Sequence, residues 1–186
     1  HPSTSEQWDL DVAMDSDGRY FAVWADNRRL YSDIRFSKSN DGTSWGDGQM
    51  NNNDIRVNSE YGGDLENWHP SVTIDENGRL YCVWLDNNGE YPRLMLSTSE
   101  STGNTWSQSV HITAVEGDLS EPYARWSPAI GLAVVYVLEG EGANGSIQKD
   151  IMFTRSTDGG ETFSTPVKVT DDDTQDQYKH RVAVSD

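Results

Sequence analysis

Trp8, Trp68 and Trp126 each stand just ahead of an apolar segment, the first two 60 residues apart. An indole face can stack on a sugar ring, and it can equally fill a seam between sheets. Both uses suit a chain with seven Trp and eight Tyr. Asp26 and Asp86 keep the same 60-residue interval at the ends of "VWAD" and "VWLD", with Arg28 and Arg29 close behind the first. Asp15 and Asp17 in "DSDG" alternate as calcium ligands do, but Arg19 stands where a third ligand belongs and no Glu closes the loop. "TDDDTQD" (170–176) is an acidic cluster of the kind that is usually solvated, so calcium is the one metal the chain could hold. The four His are too dispersed for zinc. The single cysteine, Cys82, lies in an apolar run and reads as a buried small hydrophobe.

The formal charge is -17, with 31 acidic and 14 basic side chains scattered along the chain. Clustered Lys and Arg are what phosphate backbones require, so nucleic acid is excluded as a partner, and anionic membrane surfaces with it. No apolar run of about 18 residues is present to span a bilayer. The N-terminal "HPSTSEQWDLD" has no basic-then-apolar pattern, so a secretion signal is expected to be absent or already removed.

These residues sit on a repeat. "DLDVAMDSDGRYFAVWADNRR" (9–29) aligns with "HPSVTIDENGRLYCVWLDNNG" (69–89). A looser third copy is "RWSPAIGLAVVYVLEGEG" (125–142), read with Trp126 in the place of Trp68 and a shortened first hairpin. "HRVAVSD" (180–186) resembles the start of a fourth. Each unit predicts four short strands. "DVAMD" alternates and ends at a turn rich in Asp and Gly, whereas "RYFAVWAD" is apolar on both faces, as a strand sandwiched between sheets must be. No helix is predicted. Four strands per repeat of roughly 50–60 residues points to an all-β fold of propeller blades. The expected blades are about 7–60, 66–115 and 124–172, with the start of a further blade at 178–186.

Between the third and fourth strands of each unit lies a polar loop: "SNDGTSWG" (39–46), "SESTGNTWS" (99–107) and "STDGGETFS" (156–164), spaced by 57 to 61 residues. Asp and Ser side chains can cap backbone N–H groups in such a loop. The pattern Ser-x-Asp-x-Gly-x-Thr-Trp/Phe resembles the Asp-box, or bacterial neuraminidase repeat, of sialidase-like six-bladed propellers. Ser156, Asp158, Gly160, Thr162 and Phe163 match it throughout. Ser39, Asp41 and Trp45 match with one loop residue fewer. Ser99, Gly103, Thr105 and Trp106 match except that Ser101 stands where Asp belongs, which predicts a weaker cap. The resemblance implies that these boxes are structural and mark the end of the propeller opposite its working face. It also implies a secreted bacterial setting, extracellular or periplasmic.

On the working face the resemblance puts the loops entering each first strand and those joining strands two and three. The ligand-binding candidates there are Trp8, Asp26, Arg28, Trp68, Asp86, Arg125 and Trp126, with Glu139 and Glu141 in the third inter-strand loop. A sialidase would draw its arginine clamp from Arg28, Arg29, Arg125 and Arg181, its acid from Asp26 or Asp9, and its nucleophile from Tyr178. The family's Arg-Ile-Pro motif is absent, and no Tyr–Glu pair can be identified. The expectation is therefore a non-catalytic, carbohydrate-binding module needing no cofactor. A glycoside hydrolase and a purely structural, self-assembling fragment are the alternatives. Three blades are too few to close a propeller, so a homodimer completing a six-bladed ring is also expected.

Overall fold

The computed structural model describes residues 5–28, 31–46, 54–59, 66–87, 91–100, 103–112, 117–141, 145–170, 177 and 180–183. Twelve strands form three four-stranded antiparallel meanders. The first sheet contains β1 (Gln7–Met14), β2 (Tyr20–Asp26), β3 (Asp33–Ser39) and β4 (Ile55–Arg56). The second contains β5 (Asn67–Ile74), β6 (Leu80–Asp86), β7 (Arg93–Ser99) and β8 (Val110–His111). The third contains β9 (Asp118–Ser127), β10 (Gly131–Glu141), β11 (Ile147–Ser156) and β12 (Val167–Lys168). This is the expected all-β set of three propeller blades. No described residue is helical.

The core lies in the two seams between blades. One seam joins Phe21, Val23, Ile34 and Phe36 of the first blade to Val72, Cys82, Trp84 and Met95 of the second. The other joins Tyr81, Val83, Leu94 and Leu96 of the second blade to Leu119, Ala124, Val134 and Tyr136 of the third. Strand β6 is buried at every position, because its alternating side chains enter both seams. That accounts for the apolar character of both its faces in the sequence.

The turn "DSDG" is a capped hairpin. Asp15 accepts the N–H groups of Asp17 and Arg19 at 3.0 and 2.9 Å. Asp75 repeats the cap on Asn77 and Arg79, at 2.9 Å each. Among the described residues no group of three His, Cys, Asp or Glu is placed to hold a metal ion. The acidic cluster at 171–176 lies outside the described residues.

The third copy is offset from its expected alignment. Trp8 and Trp68 pair with Ala25 and Leu85 across their hairpins, and the residue paired equivalently in the third blade is Ser120, opposite Val137. Trp126 pairs with Leu132, as Met14 pairs with Tyr20 and Ile74 with Leu80. The displacement arises because β9 and β10 extend to 10 and 11 residues across a short turn. The tryptophan match therefore belongs to the far end of the strand, and β9 starts at Asp118, upstream of the segment in which the third copy was read.

The polar loops close on themselves. Ser156 Oγ donates to Asp158 at 2.7 Å and accepts the N–H of Gly160 at 2.8 Å, while Asp158 accepts the N–H of Thr162 at 2.9 Å. Ser39 and Asp41 do the same for Gly42, Thr43 and Ser44. In the middle loop the hydroxyl of buried Ser99 has no hydrogen-bond partner among the described residues. Each loop ends on an aromatic, and Trp106 and Phe163 pack into the seam with the preceding blade. The glycines complete the clasp. A Cβ on Gly103 would stand 2.2 Å from Phe36, and one on Gly160 2.7 Å from Leu96.

Candidate functional site

The strands β1, β5 and β9 run first in their blades and carry a bulge at one equivalent position. The residue that opens each bulge is Asp9, His69 and Glu121, with φ of 55°, 49° and 50°. These are the non-glycine residues at positive φ among those described. Such a conformation costs an L-residue about 1–2 kcal/mol. It persists where neighbours hold it, and it clusters at functional sites. All three residues line one cleft of about 760 Å³, together with Asp11, Tyr123 and Arg181.

Hydrogen bonds across the blades fix this cleft. Asp11 Oδ2 accepts the Ser71 hydroxyl at 2.8 Å and the Val72 N–H at 3.0 Å. Ser71 Oγ in turn accepts the Ala124 N–H at 3.1 Å. A single line thus links the first strands of three blades. Asp9 Oδ2 accepts the His69 N–H at 3.2 Å and lies 3.4 Å from His69 Nε2. The Tyr123 ring has Arg125 at 4.0 Å and Arg181 at 5.1 Å from its centroid, distances at which a guanidinium is attracted by the π-face. Arg125 also lies 3.9 Å from Asp11. The cleft therefore offers carboxylates, an imidazole and a cation-backed aromatic face at one mouth.

The sequence candidates divide. Asp9, Arg125 and Arg181 come together at or behind the cleft. Trp8 and Trp68 are half-buried and pack against the two seams. Trp126 lies at the opposite end of its blade, beside Met14, Asp75 and Pro128, so it does not take the place of Trp68 in the third blade. Arg29 and Tyr178 lie outside the described residues.

Three carboxylates stand at the ends of the second strands: Asp26 and Asp86 in equivalent places opposite Gln7 and Asn67, and Glu139 opposite Asp118, one position beyond Leu138, which takes the equivalent place in the third blade. Each has a cation: Arg28 at 2.6 Å, Arg93 at 2.9 Å and Lys149 at 3.2 Å. Arg28 is committed further. Its guanidinium donates to both oxygens of Asp26 and both of Asp54. Burial alone would raise the Asp26 pKa, but the Arg28 hydrogen bonds and that of Gln7 hold it at about 2. This arrangement suits a brace more than a clamp, since four of the five guanidinium N–H groups are used within the chain.

The residues that sequence reading did not single out are Asp11, His69, Glu121 and Tyr123. Their signal is the repeated string "WDLD", "WHPS" and "SEPY", an ionisable residue followed by Leu or Pro at the mouth of an apolar strand. The offset of the third copy hid it.

No protein-family model matches the sequence, and no curated protein matches it. Solved structures do. An alpha-L-arabinanase of Penicillium chrysogenum complexed with arabinobiose aligns with a TM-score of 0.61 at 15% identity, over 96% of this chain and 49% of that one. Zg3597, a family 117 glycoside hydrolase of Zobellia galactanivorans, aligns at 0.59 and 14% identity, over 92% and 57%. The K499G mutant of the NanB sialidase from Streptococcus pneumoniae aligns at 0.51 and 13%, over 82% and 21%. The chain thus spans about half the length of the first two. At these identities the likeness is one of fold: β-propeller blades of a type found in glycoside hydrolases, a sialidase among them.

Proposed function

We propose that this chain is a carbohydrate-binding module built from Asp-box propeller blades, acting outside the cytoplasm, and that its glycan sits in the cleft between β1, β5 and β9. The observation that carries the reading is the threefold recurrence of an ionisable side chain on strained backbone, Asp9, His69 and Glu121, around one cleft. Structural turns use Gly or Asn at such angles. Spending an Asp, a His and a Glu there is reasonable where their polar heads must be aimed. Carboxylate and imidazole groups can hydrogen-bond sugar hydroxyls, and the Tyr123 face can stack on a pyranose or furanose ring. Titration calorimetry against a panel of arabino-, manno-, galacto- and sialo-oligosaccharides tests it. One class should bind, and Tyr123→Ala should weaken it at least tenfold. A panel without binding removes the reading.

A second reading is glycoside hydrolysis, favoured by Asp9 and Glu121 facing the same cleft, since this chemistry needs a carboxylic acid and a carboxylate on either side of the scissile bond. Turnover of aryl glycosides, lost on Glu121→Gln with binding retained, would establish it. Turnover that survives both Asp9→Asn and Glu121→Gln would exclude it.

A further inference from the structure

The two seams between blades are not packed alike at their outer strands. In the first, Phe36 meets Trp106 edge to face, with ring centroids 5.3 Å apart, and Lys38 Nζ donates to Asn104 at 2.8 Å. In the second seam Leu96 takes the place of Phe36 and Thr98 that of Lys38, by register. Phe163 takes the place of Trp106 and Glu161 that of Asn104, by position in the polar loop. Three of the four replacements are smaller. A groove of about 370 Å³ lies there, between β7, β8 and the third polar loop. That volume is near the lower end of the range for small-molecule sites.

An arginine is turned into the groove. Arg19 and Arg79 are equivalent, since the carbonyl of each accepts the N–H of its turn aspartate, Asp15 or Asp75. Arg19 Nε donates to Asp15 at 2.6 Å. The second blade has Tyr81 where the first has Phe21, and the Tyr81 hydroxyl donates to Asp75 at 3.1 Å. Arg79 lines the groove instead. It donates to Thr98 Oγ1 at 3.2 Å and lies 5.5 Å from the Tyr81 ring centroid. Its Nε is 3.3 Å from the exposed Glu100 carboxylate but makes no hydrogen bond among the described residues. Gly159 leaves room for this placement, because a Cβ there would stand 2.8 Å from Arg79 Nη1.

The lining combines an apolar floor with a polar rim. Leu96 and the Phe163 ring form the floor, and exposed Gln108 and Glu161 stand on the rim with Arg79. A guanidinium only donates and a carboxylate only accepts. Side by side they suit vicinal hydroxyls, which do both, and their opposite charges favour no ion of either sign. A ring with one apolar face and a hydroxylated edge satisfies floor and rim together.

We propose that this groove is a second carbohydrate site, sized for one neutral sugar ring that lies on Phe163 and Leu96 with its hydroxyls bonded to Arg79, Gln108 and Glu161. The groove is bounded by β7, β8 and a polar loop, whereas the cleft lies between β1, β5 and β9. It falls between two blades that the chain itself supplies. The inference shares its ligand class with the reading of the cleft but none of its residues.

Amide spectra of the nitrogen-15-labelled full chain, titrated with the methyl glycosides of arabinose, mannose, galactose and glucose at millimolar concentration, test it. At least one should shift the Gly159, Gly160 and Glu161 amides saturably. Glu161→Ala should weaken that binding about tenfold, the share of a hydrogen bond to a charged group. Leu96→Phe, which restores the residue of the first seam, should abolish it, and Tyr123→Ala should leave it unchanged. Because Glu161 is exposed, its variant should keep the fold even if Leu96→Phe does not. Silence at these amides with every glycoside overturns the proposal, as does saturable binding indifferent to Glu161→Ala. Shifts confined to His69 and Tyr123 overturn it while supporting the cleft, and shifts confined to Gly159, Gly160 and Glu161 do the reverse.

Discussion

Asp9 and His69 stand 60 positions apart in sequence and meet twice in the fold. The Asp9 carboxylate takes the His69 N–H at 3.2 Å and lies 3.4 Å from His69 Nε2. Both residues have left-handed backbone, and each helps to hold the other in it. The cleft is thus assembled from strain that one blade imposes on the next.

Removing that strain should stabilise the fold. At ordinary strand positions Ala is more stable than Gly. At Glu121, with φ of 50°, the order should reverse. Glu121→Gly is expected to be about 1 kcal/mol more stable than Glu121→Ala, measured by urea unfolding, while neither binds glycan. The usual order would mean that the position is unstrained.

Acid should unfold the chain in a definite window. The Asp26 pKa of about 2 reflects burial, which would raise it, outweighed by Arg28. Asp41 is held at about 2 by the N–H groups of Ser44 and Thr43, and Asp158 is lowered by the Ser156 and Thr162 side chains. Folded values below unfolded ones mean stability that is complete above about pH 4 and lost as pH falls toward 2. Asp26 alone should account for about 2 kcal/mol of that loss. Asp26→Asn should flatten the acid limb of a stability–pH curve, and an unchanged limb would refute the assignment.

Arg28→Ala is expected to act on the fold more than on any ligand. It strands the buried Asp26 carboxylate and leaves Asp54 without its partner. Breaking one side of a buried pair costs about 3–5 kcal/mol. Thermal unfolding should show the loss with or without ligand. A variant of native stability that no longer binds would restore Arg28 as a ligand clamp.

The loop clasp should be as sensitive as the core. Gly160→Ala must place a Cβ 2.7 Å from Leu96 at φ of 92°. Strain of about 1–3 kcal/mol is expected from the backbone alone, with a steric cost added. Gly140→Ala has open space and a permitted backbone, and serves as the neutral control in calorimetric scans. Equal melting temperatures for the two would refute the clasp.

The blades were legible because their signals are local. Strand alternation, the Asp15 and Asp75 turns and the polar loops are each written within about ten residues. The two-faced apolar character read in 19–26 was legible for the same reason, and β6, its counterpart in the second blade, is buried at every position. The cleft was not legible. Asp9, His69 and Glu121 acquire their meaning from a shared bulge, and a bulge depends on hairpin pairing that a string of letters does not display. Trp126 misled because tryptophan is conspicuous, whereas the equivalence with Met14 and Ile74 rests on register. Arg28 looked free because Asp54, its second partner, stands 26 residues away.

Cys82 gives the molecule a built-in clock. It is the chain's one thiol, fully buried on β6 between the first and second blades. Burial raises its pKa well above the usual thiol value, and only the thiolate reacts with alkylating reagents. Labelling in native buffer must therefore wait for that seam to part. The rate of alkylation reads the opening of one blade from its neighbour, without denaturant and separately from unfolding of the chain as a whole.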